Sequence, residues 1–164
     1  MQPEFEFFSL ECDMEDFHPV GNGPHGNRAT VIFKGGRFEG PKLKGTILPG
    51  GGDWEIVADD STAVSAILAC WIALTRQFLD TRYNLKTDDG AIIYLRTTGV
   101  RKGPKDILDK LGEDESITAD QYSMRLSLQF ECGTDKYAWL NKTVGFAVSG
   151  RNGTMVIYDA YALV

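Results

Sequence analysis

Apolar and polar residues alternate along this chain with the period of two that marks a β-strand with one buried and one wet face. The alternation is cleanest late in the chain. Tyr122, Met124, Leu126, Leu128 and Phe130 fall on one face, and Ser123, Arg125, Ser127 and Gln129 on the other. Between punctuating Gly and Pro residues, β-rich runs predict strands over 4–11, 28–34, 43–48, 54–58, 79–86, 91–98, 122–130, 143–149 and 155–163. Thr87-Asp88-Asp89-Gly90 and Arg151-Asn152-Gly153 read as hairpin turns, since Asp-Gly and Asn-Gly supply positive φ angles. Many short strands joined by turns predict an all-β fold, a small antiparallel β-barrel in which closure removes exposed edges.

Two segments break the β pattern. Residues 104–111 predict one short surface helix, with Pro104 at the first helical position and Gly112 after the end. Residues 64–77 predict an inserted apolar helix. From Val64 to Leu74 only Ser65 is polar. A helix apolar all round must be buried or in a membrane, and this one falls short of the roughly 20 residues that a bilayer requires.

The 164 residues suffice for a single domain, and 43% apolar content excludes a disordered chain. A formal charge of −6 argues against nucleic acid as a partner. The start, Met1-Gln2-Pro3-Glu4-Phe5-Glu6, has neither a basic nor an apolar leader region, which predicts a cytoplasmic protein with no membrane attachment. Cys12, Cys70 and Cys132 are odd in number and widely spaced, as expected of free thiols in a reducing compartment. The sequons at Asn141 and Asn152 are then expected to stay unmodified.

Several motifs resemble a known family in order and in kind. They are Phe38-Glu39-Gly40-Pro41-Lys42-Leu43-Lys44-Gly45, Pro49-Gly50-Gly51-Gly52-Asp53-Trp54, Asp80-Thr81-Arg82-Tyr83, Thr87-Asp88-Asp89-Gly90-Ala91 and Tyr137-Ala138-Trp139-Leu140-Asn141. The family is the domain of unknown function 3237, small single-domain proteins of bacteria and fungi. The resemblance covers nearly the whole chain and implies a β-barrel, without fixing an activity. One departure stands out: Trp54 and Tyr83 are 29 positions apart, and the family spaces these motifs much more closely. Deleting 64–77 restores the spacing and joins Ala63 to Phe78. The segment also reads as a translated intron. Val64 can be encoded by a codon starting GT, Leu74-Thr75 can contain CTAAC, and Gln77 can be CAG. A retained intron or faulty gene boundary is one origin; a genuine lid helix of this lineage is the other.

The candidate chemistry lies inside these motifs. Glu39 precedes Gly40-Pro41, and Asp53 follows three glycines, so both are expected near a barrel mouth. A carboxyl beside Trp54 would be desolvated, and its raised pKa would suit acid–base catalysis. The alternative is that Asp53 caps a turn. Asp80 and Arg82 share one sheet face, as do Tyr94 and Arg96 on the next strand. Facing inward, these four form a polar floor for a ligand; facing outward, they form a surface ion-pair ladder. Trp139 and Asn141 offer an aromatic wall and an amide, or else a core Trp and a bend-satisfying Asn.

Gly21-Asn22-Gly23-Pro24-His25-Gly26 matches a dinucleotide fingerprint by letters only; Pro24 and the lack of a following helix make it a flexible loop. No third ligand accompanies His18 and His25 in sequence, so no metal is expected, and no cofactor. Two functional readings emerge. One is a cofactor-independent isomerase, cyclase or lyase on a small hydrophobic or aromatic molecule. Asp53 or Glu39 would move the proton, while Arg82, Tyr94 and Asn141 hold an oxyanion and Trp54, Arg96 and Trp139 complete the pocket. The other is a non-catalytic carrier of such a molecule. An exposed apolar helix would favour self-association, but the sequence does not set the oligomeric state.

Overall fold

The computed structural model describes residues 5–59 and 74–163. Its nine strands are β1 (Phe5–Gly23), β2 (Gly26–Glu39), β3 (Lys44–Ile47), β4 (Gly52–Asp59), β5 (Leu74–Thr87), β6 (Ile92–Pro104), β7 (Ser123–Glu131), β8 (Val144–Asn152) and β9 (Met155–Leu163). A one-turn helix, α1 (Lys105–Leu108), follows β6, and a 3₁₀ helix, Asp135–Lys142, follows β7. All pairings are antiparallel, and β1 pairs with both β9 and β2, which closes the sheet into a barrel.

Nine strands fill eight positions in that ring. Both β3 and β4 lie between β2 and β5, β3 against their Gly36–Glu39 and Leu85–Thr87 ends and β4 against the opposite ends. They are one strand broken at Leu48-Pro49-Gly50-Gly51. Gly50 takes a φ of +90°, and a Cβ on Gly51 would sit 2.4 Å from the Arg82 carbonyl oxygen. The break lets Phe33 hold both edges of the bulge, its N–H donating to Gly51 O at 2.9 Å and its carbonyl accepting from Gly50 N–H at 3.2 Å.

The predicted alternation of β7 holds residue by residue, with Met124, Leu126, Leu128 and Phe130 inside. On β5 and β6 the inward set is Leu79, Thr81, Tyr83 and Leu85 against Ile93, Leu95 and Thr97. A register shift between Glu6 and Phe8 turns both Phe7 and Phe8 into the core. With Phe38, Phe130 and Leu140 of the 3₁₀ helix, they plug one end of the barrel with apolar side chains. Phe7 meets Phe130 edge-on at 6.0 Å, and Phe8 meets Phe38 at 5.7 Å.

Three expectations need correction. The inserted apolar helix is not confirmed: its last four residues, Leu74 to Gln77, open strand β5 instead, where they pair with Arg101 to Pro104, and residues 64–73 lie outside the described residues. The surface helix is shorter than 104–111, because Pro104 is its N-cap and the backbone tightens to i→i+3 bonds at Lys110 and Leu111. The Gly21–Gly26 stretch is a tight hairpin in which Gly23 pairs with Gly26. No helix among the described residues is long and apolar enough to cross a membrane.

Candidate functional site

The end of the barrel opposite the aromatic plug is lined differently. Here β4 sends Asp53 and Glu55 inward, β5 sends Gln77 and Thr81, β6 sends Thr97 and Arg101, and Arg151 comes from the end of β8. Asp53, Glu55 and Arg101 are only 8%, 5% and 7% exposed. Charged side chains are seldom buried this far unless paired. Together with Val31, Phe33 and Leu79 they surround a void of about 20 Å³, room for one or two waters.

Asp53 occupies a gap in the ladder. β4 and β5 pair at Asp53–Thr81 and again at Ile56–Phe78, but Trp54 and Glu55 are skipped. The Asp80 backbone N–H left over donates to Asp53 Oδ1 at 3.0 Å. Burial and the neighbouring Glu55 carboxylate push the Asp53 pKa up to about 7, against the opposing pull of the Asp80 N–H and Arg101. At neutral pH this carboxyl therefore exchanges a proton readily, as an acid or base must.

Arg101 ties the opposite wall together. Its Nη2 donates to Glu55 Oε2 at 3.2 Å, and its Nε donates to Gln77 Oε1. Thr81 and Thr97 share a hydroxyl–hydroxyl hydrogen bond across β5 and β6. Just behind them, Tyr83 stacks on Phe33 with ring centroids 4.8 Å apart, and burial raises its pKa well above the usual phenol range.

The residues singled out from the sequence separate into different places. Asp53 is in the cavity. Trp54, next in sequence, points the other way, is 36% exposed, and lies under the Arg82 guanidinium at 5.1 Å. Asp80, Arg82, Tyr94 and Arg96 take the outward alternative. Arg82 and Arg96 stand directly opposite each other, bridged by Asp80 at 3.0 and 2.9 Å. Burial works against Asp80 ionisation, but hydrogen bonds from Arg96 and Arg82 outweigh it and lower its pKa. Glu39 is exposed at the end of β2, level with Lys44 on β3, near the plugged end and away from Asp53. Trp139 packs edge-on against Phe7 at 5.5 Å beneath Lys42. Asn141 imitates a strand neighbour: its Oδ1 accepts from Cys132 N–H and its Nδ2 donates to Cys132 O, both at 2.8 Å.

Glu55, Arg101 and Arg151 are absent from the sequence-derived set. Glu55 is two residues from Asp53 and so shares its face. Arg101 continues the parity of Ile93, Leu95 and Thr97, which the apolar pattern marks as inward. Arg151 sits in a predicted turn, where nothing in the sequence signals burial.

The geometry defines a closed antiparallel barrel, apolar at one end and carrying ionisable groups inside the other. The chain belongs to the family described as protein of unknown function DUF3237, whose sequence model matches residues 3–163. A UPF0311 protein of Rhodopseudomonas palustris is 26% identical over 157 residues, covering 96% of this chain and 94% of that one. The crystal structure of a β-barrel-like protein from Acinetobacter baumannii matches at 36% identity with a TM-score of 0.76, covering 100% of this chain and 98% of its own. An enzyme from Penicillium herquei shares the fold at a TM-score of 0.58 and 16% identity, over 98% of this chain and 96% of that one. The family and the barrel expected from the motifs are thus borne out.

Proposed function

We propose that the polar end of the barrel binds a small, largely apolar molecule and moves a proton on it, with Asp53 as the acid–base group. The observation that carries this reading is the burial of Asp53, Glu55 and Arg101 around one void in a chain that could have filled it with apolar side chains. Buried ionisable groups usually cost stability, and function is a common reason for retaining them. Asp53 Oδ1 is engaged by Asp80 N–H, while Oδ2 has no hydrogen-bond partner among the described residues and is the oxygen available to a ligand. Arg101, held by Glu55 and Gln77, supports the opposite wall. The kinship of fold with an enzyme from Penicillium herquei is compatible with catalysis.

The void itself is far smaller than an organic ligand, so entry requires the wall to yield. Met14 and Met124 line it, and unbranched, flexible Met is the side chain best suited to repack. Positioned acid–base catalysis contributes about 10²–10⁴-fold. The test is solvent-deuterium incorporation into a panel of cyclic ketones and phenols, followed by NMR. The wild-type chain is expected to catalyse exchange in at least one of them, Asp53→Asn to lose it by about 10²-fold or more, and Glu39→Gln to keep it. Undiminished exchange in Asp53→Asn overturns the assignment; binding with no exchange in the wild type points to a carrier.

A further inference from the structure

Two arginines line the cavity, and they are not alike. Arg101 has Glu55 as counter-ion and Gln77 as a second acceptor. Arg151 has neither. Among the described residues, its guanidinium has one acceptor, the Gly153 carbonyl oxygen, 3.4 Å from Nη2. Its Nε is sealed from solvent with no hydrogen-bond partner. No carboxylate among the described residues lies within ion-pair distance of it. Burial and the neighbouring Arg101 charge lower the Arg151 pKa to about 10, against the opposing pull of Glu55, Tyr122 and Asp53 across the cavity, which leaves it cationic at neutral pH.

The backbone that carries this side chain is held in place. The Arg151 backbone N–H donates to Tyr122 Oη at 2.7 Å. Gly112 leaves room for the guanidinium, since a Cβ there would lie 2.8 Å from Nη2. A half-buried cation that feels Glu55 and Asp53 only at a distance, and whose Nε–H has no acceptor among the described residues, is an incomplete pair. The planar edge formed by Nε–H and one Nη–H suits two oxygens of a carboxylate, or the single oxygen of an ionised phenol.

We propose that Arg151 anchors an oxyanion, so that the ligand of this cavity is a small organic anion, a carboxylate or acidic phenol carried on an apolar body. The body would lie against Val31, Phe33, Leu79, Leu126 and Val156. This rests on the cavity being a binding site, as proposed above, and adds the charge and orientation of what it takes.

The experiment compares thermal shifts with formate and benzoate against their neutral counterparts, formamide and benzamide, at pH 7 and constant ionic strength with chloride as the balancing anion. The anions are expected to raise the melting temperature of the wild-type chain well beyond the amides. Arg151→Gln is expected to weaken anion binding at least tenfold. Arg151→Lys, which keeps the charge but loses the planar edge, is expected to fall between. Equal protection by anions and amides overturns the anion assignment while leaving the cavity as a binding site. Equal anion affinity in wild type and Arg151→Gln overturns the role of Arg151. No protection by any of the four probes counts against both. The wild-type comparison of anion with amide decides the first point even if Arg151→Gln fails to fold.

Discussion

Asp53 shows how a single carboxyl links the interior of the barrel to pH. Its pKa is about 7 in the folded chain, raised by burial and by Glu55, against an ordinary value of 3.8. Below the ordinary value both folded and unfolded chains hold the proton, and the group costs nothing. Between the two values the unfolded chain releases the proton and the folded chain keeps it, so stability falls as pH rises. Above 7 the loss is complete, on the order of 4 kcal/mol. Asn in its place stays neutral and still offers Oδ1 to the Asp80 N–H. Asp53→Asn should therefore melt several degrees above the wild type at pH 8, with most of the gap gone at pH 4.5. Melting curves at the two pH values check this, and a gap that ignores pH would show that Asp53 does not titrate near neutrality in the fold. The sequence made Asp53 legible as a carboxyl after three glycines, but it left Arg82, Tyr94 and Arg96 open between the inward floor and the outward ladder. Those residues alternate as regularly as their neighbours, so period two alone cannot say which face is wet. The apolar partners on the same strands, Leu79, Tyr83 and Leu85 with Ile93 and Leu95, do say it, and they put the arginines outside.

At the scale of elements, the strands were readable because their chemistry is local, and the broken strand was not because its cause is a long-range fit. Gly50 and Gly51 look equivalent in the chain, yet the fold asks different things of them. Gly50 has a φ of +90° and open space where a Cβ would go; Gly51 has the Arg82 carbonyl oxygen 2.4 Å from that point. Gly50→Ala should cost only backbone strain, about 1–2 kcal/mol. Gly51→Ala must push β4 away from β5 beside the Asp53 gap, and about 2–3 kcal/mol is expected. Urea midpoints for the two variants test the order. If Gly50→Ala proves the more damaging, the β4–β5 contact is looser than the ladder implies. The same distinction explains the helices. Pro104 and Gly112 bracket a helix in sequence over 104–111, but where a helix stops depends on the backbone bonds that succeed it, and here those tighten after one turn.

At the scale of the whole molecule, the barrel has an aromatic plug at one end and a charged interior at the other, and the segment 64–77 falls in sequence after β4 and ends in the first four residues of β5, Leu74 to Gln77. Two origins of that segment make opposite predictions. If it is foreign to the native protein, removing it should relieve the fold, and the shortened chain should melt higher. The ladder argues the other way. Leu74, Thr75, Arg76 and Gln77 pair with residues 101–104 of β6, and Thr75 to Gln77 also pair with residues 57–59 of β4. Gln77 supplies the acceptor for Arg101 Nε inside the barrel. Deleting 64–77 would remove these pairings together and take from Arg101 one of its two acceptors, leaving a buried guanidinium less well satisfied, a change that commonly costs 1–3 kcal/mol by itself. The intact chain is therefore expected to melt above the 64–77 deletion, and the deletion to lose far more than Arg101→Met does. Melting both chains and the point variant under one condition separates the outcomes. A deletion that melts at or above the intact chain would mean that 60–63 replace the start of β5, and that the family's shorter spacing describes the native barrel.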